Sequence, residues 1–154
     1  LDFQRKAELD RGISQAALLL GDAPRALAAA RSAVDTNPLH PDGFRRLSAA
    51  LLASGKEDDA AIALVEGVLA TEDMTLRQDL VNFYRAGHDP SGCALSGAGL
   101  NPECPAVHQH ACAAVAEALR LYMRAGLPQV ARQMKESARA GSGCPPGGWD
   151  AIVP

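Results

Sequence analysis

A chain of 154 residues is long enough for one compact domain or one short repeat array and too short for two full domains. Its apolar content is ordinary at 47% but its aromatic content is only 4%, so alanine and leucine must supply the core, which suits closely packed helices better than sheets. The formal charge of −3 excludes the general positive field that nucleic acid requires, and no apolar run approaches the roughly 18 residues that span a bilayer.

No nucleic-acid partner and no membrane insertion by this segment are therefore expected. The start, LDFQRKAELD, lacks the apolar centre of a signal peptide, and a chain beginning at Leu1 reads as a fragment or a processed product. Twelve of the fifteen basic residues are arginines, which leaves local recognition of carboxylates open despite the acidic balance.

A repeat organises the elements along the chain. A glycine is followed five residues later by a small residue and seven later by another: Gly21, Ala26, Ala33; Gly55, Ala60, Gly67; Gly87, Gly92, Gly99; Gly126, Ala131, Ala138. Each glycine ends an amphipathic stretch, as a helix C-terminus requires. Small residues seven apart lie on one face of the next helix and let its partner come close. The units fall at about 7–40, 41–72, 73–104 and 105–143, with 144–154 as a tail. In the third unit the segment PSGCALSGAGL carries three glycines, so a short or irregular second helix is predicted there. The fourth recovers, with its first helix beginning near Pro105.

The first two units resemble the tetratricopeptide repeat. The family's signature places are filled by Ile13, Ala17, Gly21, Ala26, Ala30, Ala33 and Pro38, and then by Phe44, Leu47, Leu51, Gly55, Ala60 and Leu64. The resemblance implies an all-α, right-handed α-solenoid of about four helix hairpins, the third irregular. A plain antiparallel helix bundle is the alternative, because glycine turns and alanine faces serve any helix hairpin.

By the same resemblance, the first helices line a concave groove that receives a peptide or protein segment. Its rows here would be Arg11, Arg45 and Arg77; Gln15, Ala49 and Val81; and Leu18, Leu52 and Tyr84. The arginine row points to an acidic partner, or else to internally paired charges. Self-association is the alternative function. The groove does not reproduce the family's chaperone-tail site, since Gln15 and Arg46 stand where that set would differ.

All four cysteines, Cys93, Cys104, Cys112 and Cys144, lie in the distorted half. An even number points to two disulfides and an extracytoplasmic, periplasmic or secreted setting, with a cytoplasmic one as the alternative. Cys104 and Cys112 would lie about 12 Å apart along one helix, too far for a bond. A turn near Leu127 brings Cys112 beside Cys144, which leaves Cys93 with Cys104. The competing readings are plain thiols or a zinc site built on Cys104, His108 and Cys112, four apart in succession.

No catalytic motif has its required setting, so neither an enzyme nor a cofactor is expected. An enzyme built on Cys112 and His108 lacks an orienting third group. Glu57, Asp58 and Asp59 favour the start of a helix. Trp149, Ile152 and Val153 are expected to cap the last hairpin, with Trp149 as a partner contact the alternative.

Overall fold

The computed structural model describes residues 2–89, 91–141, 143–145 and 148–154. Its first half is built of helix hairpins: α1 (Asp2–Leu19) with α2 (Ala23–Thr36), and α3 (Pro41–Ala53) with α4 (Glu57–Thr71), followed by α5 (Met74–Arg85). The ends are locally encoded. Asp22 accepts from the Arg25 N–H at the start of α2, and Asp73 accepts from Thr75 and Leu76 at the start of α5, each using a carboxylate oxygen to satisfy an orphan amide. Gly21, Gly55, Gly87 and Gly126 all take positive φ, from 73° to 104°, just past their helices. An L side chain there would be strained, which explains the glycine series.

Each of the first two hairpins carries a second mark of the repeat. Ser14 donates its hydroxyl to the Ala26 carbonyl at 2.8 Å, and Ser48 donates to the Ala60 carbonyl at 2.9 Å. Both serines are buried, so these bonds fasten the first helix of each unit onto the start of the second. The corresponding positions before Gly87 and Gly126 are Leu80 and Leu119, and the fastening is absent from the later units.

The third unit departs further from the helical pattern than its irregular second helix predicts. The segment after α5 forms a small antiparallel hairpin, β1 (Leu95–Ser96) with β2 (Gly99–Leu100). Gly92 and Gly97 take positive φ as turn residues, so Gly92 and Gly99 are not small positions on a helix face. Asp89 holds the turn by accepting from the Gly92 and Ala94 amides, and Asn101 donates its side-chain amide to the Cys93 carbonyl. The long helix α6 (Pro105–Arg124) begins at Pro105, as the sequence predicts, and packs against α4. It then pairs with α7 (Pro128–Gly141).

The main core gathers Val34, Phe44, Leu47, Leu51, Leu64, Leu76, Leu80, Phe83, Tyr84 and Leu121 from α2 through α6. Gly67 lets α4 sit against it: a Cβ there would lie 2.7 Å from Phe44 Cβ and 2.8 Å from Leu76 Cδ1. A second cluster, with Val115, Leu119, Tyr122 and Ala131, is closed by Trp149 and Val153 of the tail, both buried. Trp149 opens the short helix α8 (Trp149–Ile152); Lys135 donates to the Val153 carbonyl at 2.6 Å, and Lys135 and Arg139 pair with Asp150.

Candidate groove and cysteine site

The three arginines of the expected groove meet different surroundings. Arg45 is held inside the fold's own charge network: its Nε donates to Asp79 at 2.7 Å, Nη1 pairs with Asp42, and Nη2 donates to Thr75 at 3.0 Å. Arg77 is exposed and enters no ion pair among the described residues. Arg11 is half-buried, and its Nη1 is buried with no hydrogen-bond partner among the described residues. Arg11 lines a cavity of about 510 Å³ between α1 and α3, together with Glu8, Gly12 and Gln15 from α1 and His40, Asp42 and Arg46 from the start of α3. Arg46 is only loosely paired, with Nη2 3.8 Å from Asp42. A buried guanidinium nitrogen without an acceptor costs stability, and an acceptor that reached it would relieve that cost.

The other two rows are partly closed. Gln15 is exposed and Ala49, Leu18 and Leu52 are half-buried, whereas Val81 and Tyr84 are buried in the core. Tyr84 instead begins a hydrogen-bonded chain that sequence reasoning did not find. Its hydroxyl lies 2.6 Å from Nδ1 of His110, and Nε2 of His110 lies 3.0 Å from Asp58 on α4. Burial and the nearby carboxylates of Asp89 and Asp58 push the Tyr84 hydroxyl up to about 12, so it stays a donor. With Tyr84 donating to Nδ1, His110 donates through Nε2–H to Asp58, and three helices are pinned by one hydrogen-bonded chain. Asp58 thus has a specific partner besides the helix start.

The cysteines pair as Cys93 with Cys104 and Cys112 with Cys144, with Cα separations of 5.4 and 5.5 Å. The first bond ties the β-hairpin segment to the start of α6. The second ties the middle of α6 to the chain beyond α7. Cys104 is therefore remote from the trio that the fold does bring together: among the described residues, His108, Cys112 and Cys144 place their ligand atoms within 4.8 Å of one another. No described helix is long and apolar enough to cross a membrane.

Comparison of the chain with protein-family profiles, with curated proteins and with solved structures gives no match.

Two further features surround α6. An apolar groove of about 760 Å³ lies between the end of α4, α6 and α7, lined by Leu69, Val107, Val115, Val130 and Met134 with His108 and Cys144 at one end. On the opposite flank, Glu66 of α4 is only 6% exposed and faces a smaller cavity with Arg31, Asp59 and Glu117. Burial, reinforced by the Glu117 charge, pushes the Glu66 carboxyl up to about 8. The signal for it in the sequence is a lone acid inside the apolar run from Ala60 to Ala70.

Proposed function

We propose that the chain is a tetratricopeptide-like interaction module that holds a protein or peptide segment by a carboxylate in the cleft between α1 and α3, and that it has no catalytic role. The observation that carries this reading is Arg11, which lines a cavity with Arg46, Gln15 and His40 and whose Nη1 has no hydrogen-bond partner among the described residues. Glu8 and Asp42 on the same walls favour a single carboxylate clamped between two arginines over a run of acidic residues, because further negative charge would meet theirs. Arg45 has a structural role in this scheme, since Asp42 and Asp79 already neutralise it. The 34-residue spacing of Gly21 and Gly55, matched by Ser14 and Ser48, supports the repeat kinship. The two disulfides support an oxidising compartment, and with it a place within an exported or membrane-anchored protein.

Selection of random peptides displayed on phage tests the reading. Enriched peptides should share one Asp, Glu or free C-terminus, and Arg11→Ala with Arg46→Ala should weaken them at least about tenfold while Arg77→Ala does not. Enrichment without a shared carboxylate, or equal binding to the double variant, would refute it.

A second reading, self-association, rests on the outer face of α1. Leu9 and Ile13 are 61% and 39% exposed and share that face with Ala16. Sedimentation across a hundredfold range of protein concentration separates the readings, because only self-association depends on it.

A further inference from the structure

His108 and Cys112 stand one turn apart on α6, so their side chains project from the same face of a rigid element. Cys144 reaches them from beyond α7. His108 Nε2 lies 3.5 Å from Cys112 Sγ. While sulfur is in a disulfide it has no proton to give an imidazole and can only accept, weakly, from an Nε2–H of His108. The nitrogen–sulfur distance is that of a metal site: with zinc–sulfur bonds of about 2.3 Å and zinc–nitrogen bonds of about 2.05 Å, tetrahedral geometry separates nitrogen from sulfur by about 3.6 Å, and the two sulfurs, bonded to each other here, would move apart to about 3.8 Å once reduced.

The third ligand would stay in reach after the disulfide opens. The tail that carries Cys144 is anchored independently, by burial of Trp149 and Val153, by the Lys135 bond to the Val153 carbonyl and by the Asp150 pairs with Lys135 and Arg139. Reduction therefore frees two thiols without freeing the chain between them. The other disulfide offers no such set, because Ser91 rather than a histidine stands beside Cys93 and Cys104.

We propose that the reduced chain binds one zinc ion through Nε2 of His108 and the sulfurs of Cys112 and Cys144, so that this pair alternates between a disulfide and a metal site. The fourth coordination position opens on the apolar groove between α4, α6 and α7, where a water or one further ligand completes the tetrahedron. In the opening step a dithiol reductant gives the disulfide two electrons and two protons and leaves as its own disulfide. Zinc then forms two bonds to sulfur as two thiol protons pass to solvent, and one bond to the neutral imidazole. The two states exclude each other, so bound zinc protects the thiols from reoxidation.

The test is titration of the full chain, reduced with a phosphine, with cobalt as the spectroscopic stand-in and then with zinc in competition. One equivalent of cobalt should produce a thiolate charge-transfer band and tetrahedral ligand-field bands, and zinc should abolish both. His108→Ala should weaken the site at least about tenfold, since even loss of a residue that merely supports a ligand costs that much. Cys112→Ser should weaken it further, and Cys93→Ser should leave it intact. Absence of a one-to-one site, equal affinity in His108→Ala, or equal loss in Cys93→Ser and Cys112→Ser would overturn the proposal. If reduction alone lowers helicity, one equivalent of zinc should restore it; helicity that zinc does not restore would overturn the proposal too.

Discussion

Gly67 provides the sharpest quantitative test of the packing. Gly67→Ala introduces a methyl carbon 2.7 Å from Phe44 Cβ and 2.8 Å from both Phe44 Cγ and Leu76 Cδ1, where ordinary carbon contacts are about 3.5–4.0 Å. Phe44 and Leu76 are completely buried, and Phe44 Cβ is tied directly to its backbone, so the neighbours cannot swing aside. Overpacking of this kind costs about 1–3 kcal/mol and the distances place it at the upper end, while alanine's better helix propensity returns about 1 kcal/mol. The expected net loss is about 2 kcal/mol, or roughly 4–8 °C in Tm for a chain of this size. Gly12→Ala is the control: Gly12 also lies inside a helix, but nothing lies within 4 Å of its added carbon. It should stabilise the protein by about 0.5–1 kcal/mol through propensity alone. Both values come from urea unfolding followed by circular dichroism. A neutral or stabilising Gly67→Ala would mean that α4 does not sit this close to α3 and α5.

Glu66 gives the fold a pH dependence. Its folded value near 8 lies above the unfolded one, so the folded state holds a proton that the unfolded state has lost between about pH 4.5 and 8; stability falls as pH rises through that window. Glu66→Gln should flatten the slope, gaining on the order of a few kcal/mol at pH 8 and little at pH 4, as read from urea midpoints at both. Ser14→Ala and Ser48→Ala should each cost about 1 kcal/mol by loss of a buried hydroxyl bond, and Ser54→Ala, whose hydroxyl only bonds back within its own helix, should cost less. Arg45→Ala should lower stability by about 1 kcal/mol, whereas Arg77→Ala should stay within about 0.5 kcal/mol, in the same unfolding assay.

The glycine series was legible because left-handed turns leave few choices of residue, and the small positions Ala26, Ala60 and Gly67 were legible because close helix contacts leave few as well. The same reasoning misread Gly92 and Gly99. Spacing cannot tell a small residue on a helix from a glycine in a tight hairpin, and the hydrogen bonds that Asp89 accepts and Asn101 donates, which decide between them, are local to that segment. The disulfides followed from hairpin geometry, since antiparallel helices bring Cys112 level with Cys144 whatever lies in their core. The relay from Tyr84 through His110 to Asp58 joins residues 26 and 52 apart in sequence and depends on α6 packing against α4, which the repeat pattern did not contain. The arginine row illustrates a further limit: equal spacing places Arg11, Arg45 and Arg77 alike, but Asp42 and Asp79 neutralise only the middle one.

The two disulfides also divide the molecule mechanically. Under a pulling force, the closed loops of 11 and 32 residues cannot contribute extension, which withholds roughly 150 Å of contour from the C-terminal half. The hairpins of α1 to α4 carry no covalent link and can unspool one after another. A chain stretched between its ends would therefore draw its extension mostly from α1 to α5, and the closed loops around α6 and α7 would stay short after the rest had given way.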